Sequence, residues 1–404
     1  MKKRLSQAKI ILPRKRKRVL LLIESSRACG NGLISGISQY ARQYDHWTLR
    51  IDEEQSMSES AVRRIDNWKG DGIIARTFSR EVYHALARHP CSVVELCGDG
   101  ETIFADFRND NEKIAELAVR HARELGYTRF AFYAFGDVGW AKERSAFFQR
   151  DLKKLGFSCE ALHQRFKRRD NAHPLWHRRF EPELHAWLRS LPFPIFLWAA
   201  SDVQAIRVLE ACIDLEIRVP EDIAILGTDN DWLLCNALTP PLSSIQTDTV
   251  RIGVEAARLL DARMNGQSLN SAPVLFPPLG IVKRQSTDFM SIDDTDVISA
   301  LQLIREQATN GLRVSDVARQ VALSQNTLCR RFHRFLGRTP EQEILRVRIE
   351  RAKELLLLPD VSVEEIAEQT GFGAAEYFMK VFLRKTGLTP VCYRRRYQLA
   401  TAVQ

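Results

Sequence analysis

Hydrophobic and polar positions follow two different patterns on either side of residue 285. Before it, short apolar runs alternate with stretches whose apolar residues recur at helical spacing, as in Leu33, Ile34, Ile37 and Tyr40. Such alternation predicts parallel sheets with helices on both faces, an α/β fold in which ligands bind at the carboxyl ends of strands. After residue 295 the apolar spacing is helical throughout, which predicts an all-α C-terminal region.

The predicted elements divide the chain into segments. Apolar runs predict strands at 19–23, 47–51, 72–75, 129–133, 195–198 and 223–226. Helical spacing predicts one helix that begins near residue 31 and others near 61–68, 111–124, 141–154, 202–214 and 249–265. We therefore expect a disordered basic tail at 1–18, an α/β domain at 19–285, a polar linker at 286–295 and a helical domain at 296–404.

The helical domain repeats one helix-turn-helix pattern. Equivalent residues lie 49 positions apart before the turn, as Ala318 and Ala367 do, and 50 apart after it, as Phe332 and Phe382 do. The second turn therefore has one extra residue. Residues 355–358 are predicted to close a long helix that joins the two copies. Two such units in tandem, each with a basic second helix, are typical of a protein that reads double-stranded DNA twice.

Charge is concentrated at the N-terminus. The net charge is +9, but residues 1–18 hold nine of the 59 Lys and Arg residues and no acid, so the rest of the chain is balanced. The tail is expected to be a solubilising leader, with nonspecific phosphate contact as the alternative. Local charge is more informative, because four arginines lie between residues 324 and 338 without an acid: Arg330, Arg331, Arg334 and Arg338.

Several classes of protein are disfavoured by the composition. No apolar run is long enough to cross a membrane, and the N-terminal apolar patch at 10–12 is too short for a signal peptide. The eight cysteines are scattered without a C-x-x-C or a zinc-like spacing, which predicts reduced thiols and no metal site. We expect a cytoplasmic protein without a membrane partner.

The second helix of each repeat offers candidate DNA contacts. In the first repeat Leu328, Phe332 and Phe335 form the predicted buried stripe, which leaves an outward face able to pair with adenine and guanine. In the second, Phe378 and Phe382 form the stripe, and the outward face is expected to contribute phosphate contacts and shape reading. The candidate DNA contacts are Gln325, Asn326, Cys329, Arg330 and Arg334, followed by Ala375, Glu376, Met379 and Lys380.

At these residues the chain resembles the AraC family of transcription regulators. The second repeat carries the family signature in Ile366-Ala367, Gly371-Phe372, Tyr377-Phe378, Phe382, Gly387, Thr389-Pro390 and Tyr393-Arg394. Leu383 departs from the signature, since a basic residue is common there. The resemblance implies a sequence-specific regulator that binds double-stranded DNA.

The α/β region resembles the LacI-type effector domain. The similar stretches are 71–75, 200–202, 219–223, 226–229 and 242–246. That fold, shared with periplasmic binding proteins, implies two lobes that close over a small sugar. The order of the domains, with the sensor first and the AraC-type repeats last, resembles sugar-operon activators, and this resemblance implies a xylose-like pentose as the first candidate. It also implies a homodimer, and for an activator it implies recruitment of RNA polymerase. A repressor, or a regulator of a different sugar or a non-sugar ligand, stays open.

Candidate ligand-binding residues follow from that resemblance. Several of these candidates also have a structural role as an alternative to ligand binding. For Asp229 and Arg144 that alternative is a salt bridge or a turn cap. For Asp202 it is a helix N-cap, and for Trp140 it is packing between the lobes. The complete set is Ser25, Ser26, Asn31, Trp140, Arg144, Ser201, Asp202 and Asp229.

Two other classes of function compete with the regulator. A transport-type binding protein fits the lobed fold, but it explains neither the DNA-reading repeats nor the lack of a signal peptide. An enzyme is disfavoured because G-x-S-x-G, H-E-x-x-H, P-loop and G-x-G-x-x-G patterns are absent from the sequence. We therefore expect no catalytic residue and no cofactor.

Overall fold

The chain forms two units, Met1–Phe289 and Met290–Gln404. The structure, a computed structural model, describes residues 16–44, 46–52, 59–76, 80–96, 106–136, 138–164, 182–267, 274–288, 294–357 and 361–401. The predicted tail therefore lies almost wholly outside the described residues.

The first unit alternates strands and helices. Its described strands are β1 (Lys17–Leu22), β2 (Trp47–Asp52), β3 (Gly72–Arg76), β4 (Ser92–Leu96), β5 (Asp106–Asn109), β6 (Phe130–Phe135), β7 (Cys159–Gln164), β8 (Ile195–Ala199), β9 (Ile223–Thr228), β10 (Ser243–Gln246), β11 (Val274–Phe276) and β12 (Gly280–Val282). Its described α-helices are α1 (Ala28–Tyr44), α2 (Glu59–Asp66), α3 (Arg80–Arg88), α4 (Asn111–Glu124), α5 (Gly139–Lys154), α6 (Pro182–Ser190), α7 (Asp202–Asp214), α8 (Trp232–Ala237) and α9 (Thr249–Met264).

These elements build two lobes, each around one six-stranded sheet. The first sheet has the order β11-β5-β4-β3-β1-β2 with every pairing parallel. The second has the order β12-β10-β9-β8-β6-β7, in which β12 alone runs antiparallel. Continuous apolar runs such as β8 are buried along their whole length because helices cover both faces. The predicted α/β fold class is confirmed.

Helices α1 and α9 pack closely against each other in the first lobe, and glycines permit that approach. A Cβ at Gly36 would clash with the Val250 carbonyl oxygen, and one at Gly253 would clash with the Leu33 carbonyl oxygen. Since α9 follows β10 of the second sheet yet packs in the first lobe, the chain crosses between lobes here. It crosses again between β5 and α4 and between β11 and β12.

The second unit is helical. Its described α-helices are α10 (Thr295–Gln307), α11 (Val314–Gln320), α12 (Gln325–Leu336), α13 (Pro340–Leu357), α14 (Val363–Gln369), α15 (Ala375–Thr386) and α16 (Pro390–Thr401). Four residues separate α11 from α12 and five separate α14 from α15, so the predicted extra residue in the second turn is confirmed. Helices α12 and α15 end on left-handed glycines, Gly337 and Gly387, at φ of 64° and 74°.

The domain boundaries differ from the expected ones by a few residues. Strand β1 begins at Lys17, which we assigned to the tail, because its backbone amide bonds the His46 carbonyl 2.9 Å away. Ser286 and Thr287, assigned to the linker, are buried in the first unit, where both bond Ser243 of β10. Polar composition alone does not distinguish a linker from a segment whose hydroxyls are satisfied internally.

Three further properties concern the described residues alone. None of their helices is both long enough and apolar enough to span a bilayer. The seven cysteines among them are free thiols. No group of three or more His, Cys, Asp or Glu side chains among them is arranged to hold a metal ion.

Candidate effector cleft and DNA-reading helices

The carboxyl ends of the strands in both lobes border one cleft. Parallel sheets place the loops that follow their strands at one edge, and the crossings at β5 and β10 bring the two edges together. A direct contact joins the lobes there: the Ala28 amide of α1 donates to Asp231 Oδ2 at 3.2 Å.

The first lobe contributes charged side chains to this cleft. Glu24 follows β1 and Arg76 ends β3, and these neighbouring parallel strands bring the two into an ion pair. Glu24 Oε2 is buried and has no hydrogen-bond partner among the described residues. Arg27 lies beside this pair, and burial lowers the pKa of its guanidinium.

Arg144 is fixed on the second lobe. Its side chain is 3% exposed, its Nε donates to Asn111 Oδ1 at 2.9 Å, and it also bonds the Ala200 carbonyl. Its guanidinium lies 4.8 Å from the centroid of the Trp140 ring, whose buried Nε1 has no partner among the described residues. The predicted residues Trp140 and Arg144 are thus brought together, with an indole N–H left to donate.

Asp229 lies at the end of β9 and faces arginines of both lobes. Its φ of 104° is in the left-handed region, and its amide bonds the Ile245 carbonyl at 2.8 Å. Burial raises the pKa of this carboxyl above its usual range. Three cations oppose that shift: Arg144, Arg76 and Arg27. These three guanidinium groups favour the carboxylate form, which accepts hydrogen bonds from ligand hydroxyls.

The helix N-cap that we gave as the alternative role of Asp202 is wrong. Ser201 is the N-cap residue of α7, and Asp202 is its first helical residue. The Asp202 carboxyl accepts from the Asp231 amide at 2.7 Å and from Ser244 Oγ at 2.5 Å. Burial, with the nearby charge of Asp229, raises its pKa to about 8. Asp202 therefore holds the loop after β9 in place.

The remaining predicted ligand residues are less enclosed. Ser25 is half-buried, whereas Ser26 and Asn31 are exposed. Asn31 lies in the first turn of α1, where its backbone amide bonds the Arg27 carbonyl at 2.9 Å. Their contact with a ligand stays a prediction.

Helix α12 presents the first predicted DNA-reading face. Its buried residues are Leu328, Phe332 and Leu336. Phe335, which we placed in the buried stripe, is half-buried instead and lies under the Arg334 guanidinium, 5.3 Å from its ring centroid. Leu336 is buried in its place. The buried face is centred on Phe332, and in an α-helix of 3.6 residues per turn a residue four positions away lies closer to that centre than one three positions away. The predicted contacts Gln325, Asn326, Arg330 and Arg334 are exposed, and Cys329 is half-buried.

Two of the four clustered arginines are engaged within the helical unit. Arg331 lies 2.8 Å from Asp296 and 3.2 Å from Asp294, and Arg338 lies beside Glu343. These acids lie outside residues 324–338, so the cluster is less basic than expected. Arg330 and Arg334 remain as its exposed cations.

Helix α15 presents the second face. Phe378 and Phe382 are buried as predicted. Glu376, Met379 and Lys380 are exposed, consistent with an outward face. Ala375 is half-buried and packs against the core of the second repeat, so it is not fully outward as we expected.

Two family models match separate parts of the chain. Residues 119–287 match one described as a periplasmic binding protein-like domain, and residues 317–396 match one described as a helix-turn-helix domain. A helix-turn-helix transcriptional regulator of Pseudoalteromonas carrageenovora is 31% identical over 115 residues, which cover 28% of this chain and 68% of that protein. The chain belongs to the AraC-type transcription regulators. Its first unit is the periplasmic-binding-protein-like sensor, and its second is the DNA-binding domain.

The similarity extends along nearly the whole regulator. The xylose operon regulatory protein of Escherichia coli (strain K12) is 29% identical over 392 residues, covering 94% of this chain and 97% of that protein. A solved structure described as the xylose-binding transcription activator xylR matches with a TM-score of 0.74 and 28% identity, covering 94% of this chain and 98% of that one. The predicted architecture of sensor followed by DNA-binding domain is confirmed.

Sequence reasoning missed several groups of this regulator. Glu24, Arg27 and Arg76 border the cleft, and a charged residue directly after a buried strand was the available signal. On α15 the exposed Arg384 lies one turn after Lys380, on the same side of the helix. Its position four residues after Lys380 was the available signal.

Proposed function

We propose that this AraC-type regulator is a sugar-responsive activator of transcription that acts in the cytoplasm as a homodimer. Its effector is a small polyhydroxylated molecule, first of all a xylose-like pentose, held between the lobes of the sensor. The observation that carries the proposal is the convergence on one cleft of Arg27 and Arg76 from the first lobe with Arg144 and Asp229 from the second.

The chemistry of these groups suits a sugar. Each hydroxyl both donates and accepts, so a ring of hydroxyls is best held by fixed carboxylates and guanidinium groups used in alternation. Asp229 supplies the acceptor, and Arg144, oriented by Asn111, supplies donors. Trp140 Nε1 and Glu24 Oε2, which have no hydrogen-bond partner within the described part of the chain, add one buried donor and one buried acceptor. A ligand that satisfied both atoms would remove their cost of desolvation.

The effect on DNA binding follows from the position of the ligand between the two lobes. A ligand that contacts both lobes favours the closed arrangement, and that population shift alters DNA binding by the C-terminal helices. Two similar reading helices in one domain suit successive major-groove turns, about 34 Å apart. The whole-length similarity to regulators named for xylose supports an activator, which would recruit RNA polymerase.

We propose binding without turnover. The relatives are named as regulators rather than enzymes. Incubation of the protein with the stabilising sugar should leave all of the sugar intact by chromatography, and its steady loss would contradict the proposal.

A thermal-shift screen tests the sensor. The full chain is heated with pentoses, hexoses and sugar acids, each near 10 mM. A ligand at about a hundred times its dissociation constant stabilises the native state by roughly 2.7 kcal/mol, a shift of several degrees in Tm. A higher Tm with D-xylose supports a pentose as the effector. A higher Tm with another sugar identifies a different effector and leaves the proposed mechanism of control unchanged. If none of these compounds raises the Tm, the proposal that the effector is a sugar is contradicted.

A matched pair of variants locates the site. Asp229→Asn removes the carboxylate in the cleft, and Asp66→Asn removes an exposed one at the end of α2. The first should abolish the ligand-induced shift and the second should retain it. Equal shifts in both variants would place the ligand elsewhere.

A further inference from the structure

Helix α8 lies between the effector cleft and the point where the chain leaves the sensor. Its N-cap is Asp231, whose Oδ1 accepts from the Leu234 amide at 3.2 Å. The other oxygen, Oδ2, accepts from the Ala28 amide across the cleft at 3.2 Å. One carboxylate therefore holds the start of α8 and the start of α1 together, and the length of its second bond depends on the separation of the lobes.

The far side of α8 is held by one arginine. Arg284 Nη2 donates to Asn230 Oδ1 at 2.9 Å, just before the helix, and its Nε donates to Asn236 Oδ1 at 2.9 Å, near the helix end. Its Nη1 donates to the Leu242 carbonyl at 2.8 Å, in the segment that leads to β10. The guanidinium thus uses its three donor nitrogens on both ends of α8 and on the chain that follows it.

Arg284 belongs to the segment by which the chain leaves the sensor. Its backbone amide bonds Ser243 Oγ at 2.7 Å. Ser286 Oγ accepts from the Ser243 amide at 2.8 Å, and Thr287 Oγ1 donates to Ser243 Oγ at 2.8 Å. These bonds fix residues 284–287 against β10, and the chain then passes to the DNA-binding unit after Asp288.

A second path joins the same groups inside the lobe. Asp202 accepts from the Asp231 amide and from Ser244 Oγ, and Ser244 Oγ in turn accepts from the Asn230 amide at 3.0 Å. The loop 229–231 is therefore bound on three sides. A displacement of Asp231 cannot be absorbed within the loop and passes to α8 as a unit.

We propose that Arg284 is a positioning residue that couples the effector cleft to the DNA-binding unit, acting through α8 and the Asp231–Ala28 contact. This inference rests on the proposed function, because it assigns the path by which a ligand in that cleft acts. Closure of the lobes forms the Ala28–Asp231 bond and opening breaks it, so the position of Asp231 changes, α8 follows, and Arg284 carries the movement into the segment 284–287 to which it belongs. Arg284 touches no ligand in this account.

The first experiment measures hydrogen exchange of the full chain without any sugar. Arg284→Met keeps the apolar stem and removes the three donors, and Arg218→Met removes a guanidinium of the same lobe that bonds Asp222. Arg284→Met should raise exchange at least fivefold in α8 and also in the peptide that contains Ala28, whereas Arg218→Met should leave exchange there unchanged. Faster exchange confined to α8 would show a merely local role and overturn the proposal.

The second experiment measures coupling, with D-xylose as the probe. In the wild type, an allosteric effector changes DNA affinity by about 5- to 150-fold. Arg284→Met should keep the dissociation constant for D-xylose within about threefold while the effect of the sugar on DNA affinity falls to nearly none. Retained coupling in the folded variant would overturn the proposal. If Arg284→Met does not fold, Asn236→Ala tests the same link by removing one acceptor.

The two experiments separate this inference from the proposed function. A wild type that responds to no sugar refutes the proposed function, while the exchange result at Ala28 still decides whether Arg284 communicates with the first lobe. Arg284→Lys should restore part of the coupling, because it keeps the charge and some donors. Full loss in that variant together with unchanged exchange would overturn the role of Arg284.

Discussion

Arg330 and Arg331 are adjacent in sequence, yet the structure assigns them different roles. Arg330 is exposed on α12, whereas Arg331 is bonded to Asp294 and Asp296. Replacing each by alanine removes the same side chain from the same helix turn. The pair therefore separates a loss of DNA contact from a loss of stability with an internal control.

The two replacements should differ in their effects on DNA affinity and on folding stability. An arginine bonded to a guanine contributes about 1–3 kcal/mol of discrimination, so Arg330→Ala should weaken binding to the preferred site by roughly 5- to 150-fold. Arg331 and its two acids are partly exposed, with side chains 35%, 15% and 42% accessible, so solvent screens the pair. Arg331→Ala should therefore cost only about 1 kcal/mol of stability and leave DNA discrimination intact.

The assay is fluorescence anisotropy with a DNA site selected by the full chain from a random pool, together with single-base variants of that site. Arg330→Ala should lose affinity for the selected site and lose discrimination at one base pair. A uniform loss over all variants, with the salt slope reduced by about one, would make Arg330 a phosphate contact and refute the reasoning. Equal effects of the two replacements would refute the assignment of Arg331.

Three further predictions concern the sensor and the helical unit. Burial and Lys283 lower the pKa of His121 to about 4, so on acidification the unfolded chain binds a proton before the folded chain does. The free energy of unfolding should therefore fall by up to about 3 kcal/mol from pH 6.5 to pH 4. Urea unfolding of His121→Gln should not show this dependence of stability on pH. Glu343 is fully buried between arginines, so Glu343→Gln should cost roughly 3–5 kcal/mol in unfolding of the helical unit, and a cost equal to that of the exposed control Glu341→Gln would contradict it. A Cβ at Gly227 would clash with the Asp202 carboxylate, so Gly227→Ala should cost about 1–3 kcal/mol, and an unchanged Tm would contradict the packing.

Local periodicity predicted much of this fold. The strand–helix alternation identified the sensor, and the two helix-turn-helix copies identified the reading helices, because both signals arise from residues close in sequence. Elements such as α3 and β7 were missed, because a helix of nine residues offers few turns over which to recognise a period and a half-exposed strand carries a weak pattern.

The site was less predictable because its partners are distant in sequence. Glu24 meets Arg76 only because β1 pairs with β3, and Arg331 meets Asp294 only through the packing of α10. Asp202 is of a residue type that is common at helix N-caps, but in the structure its carboxyl bonds the loop after β9 instead. Pairings of this kind follow from strand order and helix packing, which a single sequence does not display.

The most direct test of the account is the affinity of the full chain for its selected DNA site, measured with and without the sugar that gives the largest thermal shift. Saturating sugar should change the DNA affinity about 5- to 150-fold and alter the footprint, and both effects should be lost in Asp229→Asn. An identical affinity and footprint at saturating sugar would contradict the account, because the cleft would then bind a ligand without controlling DNA.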